Sequence, residues 1–473
     1  MDQTPVFIGG EPVTTGSDGV EVTNPYSGEV IAVVPRCGAD EVDRACRAAA
    51  AALARDDFPQ YERAAVLERA AGLLRGRTEE FAQLITAESA KPIRTARVEA
   101  ARAVDTFTFA AVEARKLSGE MVAMEASASG SGKFGFSFRV PIGPVAAITP
   151  FNFPLNLVAH KLAPAIAAGC PVVLKPAPQT PLTGLRLCEL LVEAGLPADW
   201  VSTVTDSGKE AGEPLVAHDI PAMITFTGSA PVGWMIAGAA PKKRVALELG
   251  ANSPLIVEPD ADLAKIAAKV KVAGFSHAGQ SCISVQRVIV HRSVHEQMLE
   301  HLRREAESIV VGDPADDATD LGPLIKPSEA QRVKEWVDEA VSGGGRLISG
   351  GAVTGDGIMQ PTIVDGAPEA SKLCIREVFG PVIITVAYDD FDQALEIANN
   401  TEFGLHVGVF TNDLPKALKA ARKLEFGGVL INEVPTFRAD QQPYGGVRES
   451  GNTREGPAYT VLEMTEPRFV SLQ

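Results

Sequence analysis

Residues 277–287 read HAGQSCISVQR, and Cys282 stands there among the small or polar residues Gly279, Gln280, Ser281 and Ser284. A free cysteine is most often a buried small hydrophobe. In a small-residue loop that a substrate can reach, its thiolate is instead a potent nucleophile. Neighbouring chemistry has to separate the two readings. Residues 247–254, LELGANSP, put Glu248 at the end of an apolar run before a glycine. A carboxylate beyond a strand end faces the ligand crevice of an open α/β sheet, where desolvation makes it a general base. It can equally cap the next helix or pair with a lysine. In ITPFNFP (148–154), Asn152 sits in a loop stiffened by two prolines. Its amide can donate to a developing oxyanion or close a turn on its own backbone. A nucleophile, an oxyanion donor and a base are what acyl transfer to water needs.

A second group of residues suits a nucleotide. In FTGSAPVG (226–233), the turn from Gly228 to Gly233 offers backbone N–H groups and a helix N-terminus to a phosphate, although it is not a GxGxxG fingerprint. In LKPAPQTP (174–181), Lys175 follows another strand end and suits a ribose, a phosphate or plain solvent. In REVFGPV (376–382), Glu377 can bind a sugar hydroxyl and Phe379 can wall a ring, or the two form a turn over a buried phenylalanine.

These residues need a scaffold of strands and helices. Residues 39–55 read as an amphipathic helix with Asp40 as its N-cap, and helical patterns continue over 61–75 and 79–92. Short apolar strands follow at 145–149, 171–175, 201–205, 222–228 and 244–250, separated by helical stretches such as 155–168 and 183–195. A second strand series lies at 254–259, 288–292, 381–388, 407–411 and 428–433. Continuous apolar strands alternating with helices predict parallel sheets covered on both faces, in two blocks meeting near Gly250–Ala251. Residues 120–140, with a Gly/Ser turn between strand-like arms, predict a protruding hairpin.

Composition narrows the function. The 473 residues exceed what one core usually serves. A net charge of -16 argues against nucleic acid or an anionic membrane as main partner. No apolar run approaches the roughly 20 residues of a membrane span, and the first residues carry no signal-peptide pattern. Six scattered cysteines without CxxC spacing suit reduced thiols in a cytoplasmic protein. Seven histidines with no HExxH pair give no reason to expect a metal site.

Taken together and in this order, Asn152, Lys175, the 228–233 turn, Glu248, Cys282 and Glu377–Phe379 resemble the aldehyde dehydrogenase superfamily, and most of all its lactaldehyde and glyceraldehyde-3-phosphate dehydrogenase branch. The likeness runs from IGGEPV and NPYSGEVIA to PYGGVRESGNTREG, and the LELGANSP and GQSC pair is its most specific part. The resemblance implies an α/β fold. A Rossmann-like coenzyme domain would span 1–119 and 141–250, and a catalytic domain 251–455. Bridging segments at 120–140 and 456–473 would make a homodimer or homotetramer.

The same resemblance implies that Cys282 attacks an aldehyde to form a thiohemiacetal, that Asn152 and the Cys282 N–H hold the oxyanion, and that Glu248 activates the water that hydrolyses the thioester. It implies that Ile148, Pro150, Phe151, Lys175, Pro178, Gly228, Ser229, Gly233, Leu249, Glu377 and Phe379 hold NAD or NADP. Pro178 stands where many NAD-preferring members carry a glutamate, so the two cofactors stay open, with Lys209 a candidate partner for a 2′-phosphate. The substrate pocket would include Asn156, Leu157, His160, Ser281, Ile283 and the loop EVPTFRADQQPYGG (433–446) with Arg438. A histidine and an arginine there suit a small polar or anionic aldehyde, such as lactaldehyde, a semialdehyde, or a phospho- or phosphonoaldehyde, unless Arg438 pairs with Asp440 or another acid. A CoA-acylating enzyme and an inactive binding homologue are the alternatives. The presence of Glu248 favours hydrolysis, and the presence of all three catalytic candidates favours activity.

Overall fold

A computed structural model describes residues 3–14 and 19–473. Its first large sheet is parallel throughout, in the spatial order Arg244–Glu248, Met223–Thr227, Val145–Ile148, Val172–Lys175, Val201–Thr203. In chain order this is 5-4-1-2-3, a doubly wound arrangement whose strand order reverses beside Val145–Ile148. The second large sheet runs Arg346–Ser349, Thr362–Asp365, Val382–Tyr388, Val285–His291, Ser253–Val257, His406–Phe410, Gly428–Ile431. Only its edge pair, Arg346–Ser349 with Thr362–Asp365, is antiparallel. Strands of both sheets are buried almost end to end, as expected of sheets covered by helices on both faces. The chain leaves the first sheet at Glu248 and enters the second at Ser253, on either side of the expected Gly250–Ala251 junction.

Each strand and helix expected from the sequence is present, with ends shifted by three residues or fewer. One detail differs. Helix Ala39–Ala54 starts from Gly38, whose N–H donates to Glu41 Oε2 at 2.9 Å. Asp40 lies inside the first turn, where its charge meets the helix dipole rather than capping it. The hairpin at 120–140 forms from Met121–Val122 and Phe134–Pro141. The C-terminal strand Thr465–Leu472 pairs along the other side of Phe134–Pro141. The preceding helix Pro457–Glu463 belongs elsewhere, because Val461 and Met464 are buried in the core of the first block. The three-stranded sheet leaves Met121, Phe134, Phe138, Phe469 and Leu472 exposed.

The 24-residue helix Ile93–Lys116 was not singled out from sequence, and it does much to place the site. Buried Glu99 accepts from the backbone N–H groups of Leu155 and Asn156 at 2.9 and 3.1 Å, which caps the buried helix Asn156–Ala168 from outside. Glu88 caps helix Leu182–Glu193 likewise, through Leu182 and Thr183 at 2.8 and 3.1 Å. Glu99 also pairs with buried Lys91, whose ammonium lies 3.8 Å from the centre of the Phe153 ring. No helix among the described residues is long and apolar enough to cross a membrane.

Removing one partner of a buried ion pair strands the other charge and costs about 3–5 kcal/mol. Glu99→Ala is therefore expected to lower the denaturation midpoint steeply, while Lys91→Met combined with Glu99→Gln recovers most of the loss. Chemical denaturation followed by circular dichroism checks both variants.

Candidate active site

The cleft opens where the first sheet's strand order reverses. Its volume is about 910 Å³, and the carboxyl ends of two adjacent strands supply Ile148, Thr149, Thr227 and Gly228 to its wall. Asn152, Glu248 and Cys282 line the same cavity, with Pro150, Phe151, Lys175, Pro178, Ser229, Leu249, Glu377 and Phe379. Residues 130 positions and more apart in sequence thus converge as expected. Gly233 does not form wall. It is where helix Ala230–Ala239 packs on Leu249, and a Cβ there would lie 2.4 Å from the leucine side chain. Glu213, not singled out from sequence, does line the cleft and lies 3.5 Å from Lys209, so the cleft wall that includes Pro178 also carries an acid.

The loop before Cys282 is strained. His277, Ala278 and Gly279 take φ values of 50°, 53° and 70° in succession, a left-handed run that is unfavourable for the first two residues. Gly279 is required, since a Cβ would come 2.1 Å from the Gly380 carbonyl oxygen. Buried Gln280 pins the run: its Nε2 donates to His277 O at 3.1 Å, and its Oε1 accepts from Ile325 N at 2.9 Å. Asn152 joins from the other sheet, donating Nδ2 to Gln280 O at 3.0 Å. Its second amide N–H has no partner among the described residues.

Cys282 is half-buried, and its Sγ lies 2.9 Å from Tyr444 Oη. Burial pushes the thiol up to about 12, so it rests protonated. Glu248 is buried, and neither carboxyl oxygen has a hydrogen-bond partner among the described residues. Burial, and then the charge of nearby Glu455, hold its pKa well above the ordinary carboxylate range. Glu455 is held low despite its own burial, because Lys161 and Arg438 face it, at 3.1 Å each.

Arg438 is buried, ion-paired to Glu455 and stacked 3.8 Å from the Tyr444 ring centre. It is not a free receptor, and its acid is Glu455 rather than Asp440. Asn156 and His160 do not line the cleft either. Both reach Asp440, through Nδ2 at 3.0 Å and Nε2 at 2.9 Å, and Arg102 binds the same carboxylate at 2.9 Å. Burial pushes His160 down to about 4, so it is neutral near pH 7. Ile283 packs with Ala251, Phe403, Leu405 and Tyr444 beside the thiol, and Ser281 is half-buried in the loop. Glu455, Lys161 and Arg102 were missed as functional candidates. Asp440 and Tyr444 entered only as members of the loop 433–446, Asp440 as a possible partner of Arg438 and Tyr444 within the PYGG motif.

The wall around Glu377 is equally well built. Its Oε1 accepts from Ala251 N at 3.1 Å, and a Cβ at Gly250 would lie 2.2 Å from its Oε2. Asn252 donates to the carbonyls of Cys374 and Arg376 at 3.0 and 2.9 Å. Gln286 donates to Leu373 and Arg376 and accepts from Val378 N at 3.0 Å. These amides hold the turn that brings Phe379, at φ 49°, edge-on to Phe151 at 5.8 Å. At the far wall Lys175 pairs with Asp206 at 2.7 Å. The hydroxyls of Thr149 and Thr227 are buried on the cleft wall without partners among the described residues.

Among the described residues, one cluster has metal-ligand spacing: His295, Glu296 and Asp365, with ligand atoms within 4.8 Å. Arg346 binds both carboxylates at 2.9 Å and already neutralises one of their two charges.

Residues 13–470 match the family described as the aldehyde dehydrogenase family. The 3-sulfolactaldehyde dehydrogenase of Priestia aryabhattai is 44% identical over 100% of this chain and 98% of its own length. Aldehyde dehydrogenase 21 of Physcomitrella patens, solved in complex with the reaction product succinate, has a TM-score of 0.95 at 40% identity, covering 100% of this chain and 98% of that one. Glyceraldehyde-3-phosphate dehydrogenase of Methanocaldococcus jannaschii, complexed with NADP, has a TM-score of 0.92 at 37% identity, covering 97% and 100%. With a thiol, an unpartnered carboxyl and a free amide donor converging on a nucleotide-sized cleft at the switch point of a doubly wound sheet, this chain belongs to the aldehyde dehydrogenase family.

Proposed function

We propose that the protein oxidises a small anionic aldehyde to a carboxylic acid, using NAD or NADP, through a thioester on Cys282. The observation that carries this reading is the convergence of Cys282, Glu248 and Asn152 in one cleft. The block before Gly250 would bind the dinucleotide and the block after it would supply the nucleophile. The cleft suits that cofactor: Lys175 and Glu377 can meet ribose hydroxyls, the N-terminus of helix Ala230–Ala239 can meet phosphate, and the unpartnered threonine hydroxyls offer further polar contacts.

Cys282, once deprotonated, attacks the aldehyde carbon, and the oxyanion receives the free N–H of Asn152 and the Cys282 backbone N–H. The bound cofactor supplies the hydride acceptor. Loss of the hydride leaves a thioester. Glu248 in its ionised form then takes a proton from water, which attacks the acyl carbon and releases the acid. An unpartnered buried carboxyl beside the thiol supports hydrolysis over transfer to CoA.

Charge supports an anionic substrate. Lys161, Arg438 and Arg102 face Glu455 and Asp440. Three cations against two carboxylates leave one positive charge while His160 and Glu248 are neutral. In a site of low dielectric, one uncompensated charge attracts a small anion strongly. The three relatives, by their names, act on or were solved with 3-sulfolactaldehyde, succinate as product, and glyceraldehyde 3-phosphate, each an anion. The exposed apolar side chains of the three-stranded sheet support a homodimer or homotetramer joined there, since such a small sheet is marginal alone.

Cys282→Ala is expected to abolish cofactor reduction at 340 nm with an anionic aldehyde while cofactor binding, read by fluorescence, persists. Glu248→Gln should let a covalent acyl-enzyme accumulate, visible by intact mass. Because burial raises Glu248, hydrolysis in the wild type should climb with pH above the ordinary glutamate range, and this variant should lose that limb. Wild-type turnover in either variant sinks the assignment. Pro178→Glu should raise KM for NADP by roughly tenfold or more, through repulsion of the 2′-phosphate, with little change for NAD. Equal effects on both cofactors would place the 2′-hydroxyl elsewhere.

A further inference from the structure

The hydroxyl of Tyr444 makes a single hydrogen bond among the described residues, and it is to the sulfur of Cys282, at 2.9 Å. Everything around the ring fixes that contact. Tyr444 and Glu455 pair through their backbones in both directions, at 2.9 and 2.6 Å. The Glu455 side chain holds Arg438, and the Arg438 guanidinium lies flat against the Tyr444 ring, 3.8 Å from its centre. His406 stands edge-on to the other parts of the ring at 4.9 Å and is itself anchored through Nδ1 to Pro435 O at 2.9 Å. Tyr444 is therefore locked by packing on several sides, and its one polar atom points at the nucleophile. A hydroxyl held in this way costs no reorganisation when charge appears next to it.

Resting on the reading of Cys282 as the nucleophile, the geometry points to Tyr444 as a further catalytic residue: its O–H donates to the Cys282 sulfur in the thiolate state, with Arg438 on the ring face strengthening the donor. In the resting thiol either atom can donate. When the S–H proton passes to a base, water or the ionised Glu248, only the tyrosine retains a proton to give, and it keeps that proton throughout. The thiolate then forms the C–S bond with the aldehyde carbon, and the hydrogen bond weakens as the negative charge moves to the oxyanion. Tyr444 thus favours the charged form of sulfur over both the thiol and the thiohemiacetal. A phenylalanine here would fill the same space and leave the thiolate without that donor.

The charged and titratable groups that face the pair are Glu248, Glu377 and Arg438 on the thiol side, with Arg438, Glu248 and the His406 ring around the tyrosine. The two glutamates oppose the thiolate and Arg438 favours it, so the tyrosine is the one neutral donor in direct contact. A hydrogen bond to an ion is worth more than the same bond to a neutral group by about the equivalent of a tenfold change in an equilibrium.

The test is the rate of Cys282 alkylation by iodoacetamide as a function of pH, in the full-length protein without cofactor or aldehyde. Tyr444→Phe is expected to slow alkylation about tenfold at each pH across the neutral and mildly alkaline range, where the thiolate is the minor form. Its kcat/KM for aldehyde should fall over the same range. Incorporating a ring-fluorinated tyrosine at position 444, which sharpens the donor and preserves the fold, should speed alkylation. This arm decides the matter should Tyr444→Phe fail to fold by circular dichroism. An unchanged rate in the folded phenylalanine variant, or an unchanged or slower one in the fluorinated protein, overturns the proposal. Alkylation needs no aldehyde, so a failure to oxidise anionic aldehydes would count against the proposed substrate and leave this result standing.

Discussion

Glu248 and Glu455 are both buried and repel one another, and the fold pairs only Glu455 directly with cations. Glu455 receives Lys161 from helix Asn156–Ala168 and Arg438 from the late loop. Thr225, in the first sheet, accepts the second hydrogen bond of Lys161 at 3.0 Å. Glu248 has no hydrogen-bond partner among the described residues, and Arg438, Lys161 and Arg454 act on it only through their field. A second ionised carboxylate in the same low-dielectric space is costly, so the negative charge on Glu455 helps keep Glu248 protonated until hydrolysis needs it. The same triad ties the first sheet to the late loop, and it seats Arg438 on Tyr444 and hence Tyr444 on Cys282. The state of the base and the setting of the nucleophile trace back to where one carboxylate is neutralised.

Strain is distributed around this centre in the same spirit. The left-handed run at 277–279 and the left-handed Phe379 face each other across Gly279 and Gly380, where no side chain fits. Gln280, Gln286 and Asn252 hold both turns with amide hydrogen bonds. Strained backbone persists only where its surroundings over-determine it, and here three amides do so. Arg287 reinforces the second turn from below. It is buried without an acid and donates to the carbonyls of Asn252, Ile397 and Ala398, which places its charge at the C-terminus of helix Phe391–Asn399.

Much of this was legible in the sequence, for a physical reason. Parallel strands buried on both faces write continuous apolar runs, and a ligand crevice opens beyond their carboxyl ends, so Asn152, Lys175, Gly228 and Glu248 announce themselves by position in a run. Cys282 gained meaning only beside them. What was not legible depends on partners far apart in the chain. Lys161 meets Glu455 across 294 residues, and His160 meets Asp440 across 280. Nothing local distinguishes those residues from solvated charges, so His160 read as a receptor and Arg438 as either a receptor or an ion-pair partner, when each is already engaged. Gly233 read as a phosphate turn because close helix packing and phosphate binding both ask for glycine. The cap of helix Ala39–Ala54 was misplaced for the opposite reason: Gly38 has no side chain to advertise the cap, and Glu41 supplies the bond instead.

The most direct test of the central claim is the pH dependence of acyl-enzyme hydrolysis in single turnover, compared between the wild type and Glu455→Gln. If Glu455 holds Glu248 protonated, removing its charge while Lys161 and Arg438 remain shifts the rising limb to lower pH. A limb that stays in place, or moves to higher pH, would contradict the account and leave burial alone, or another group, as the origin of the base.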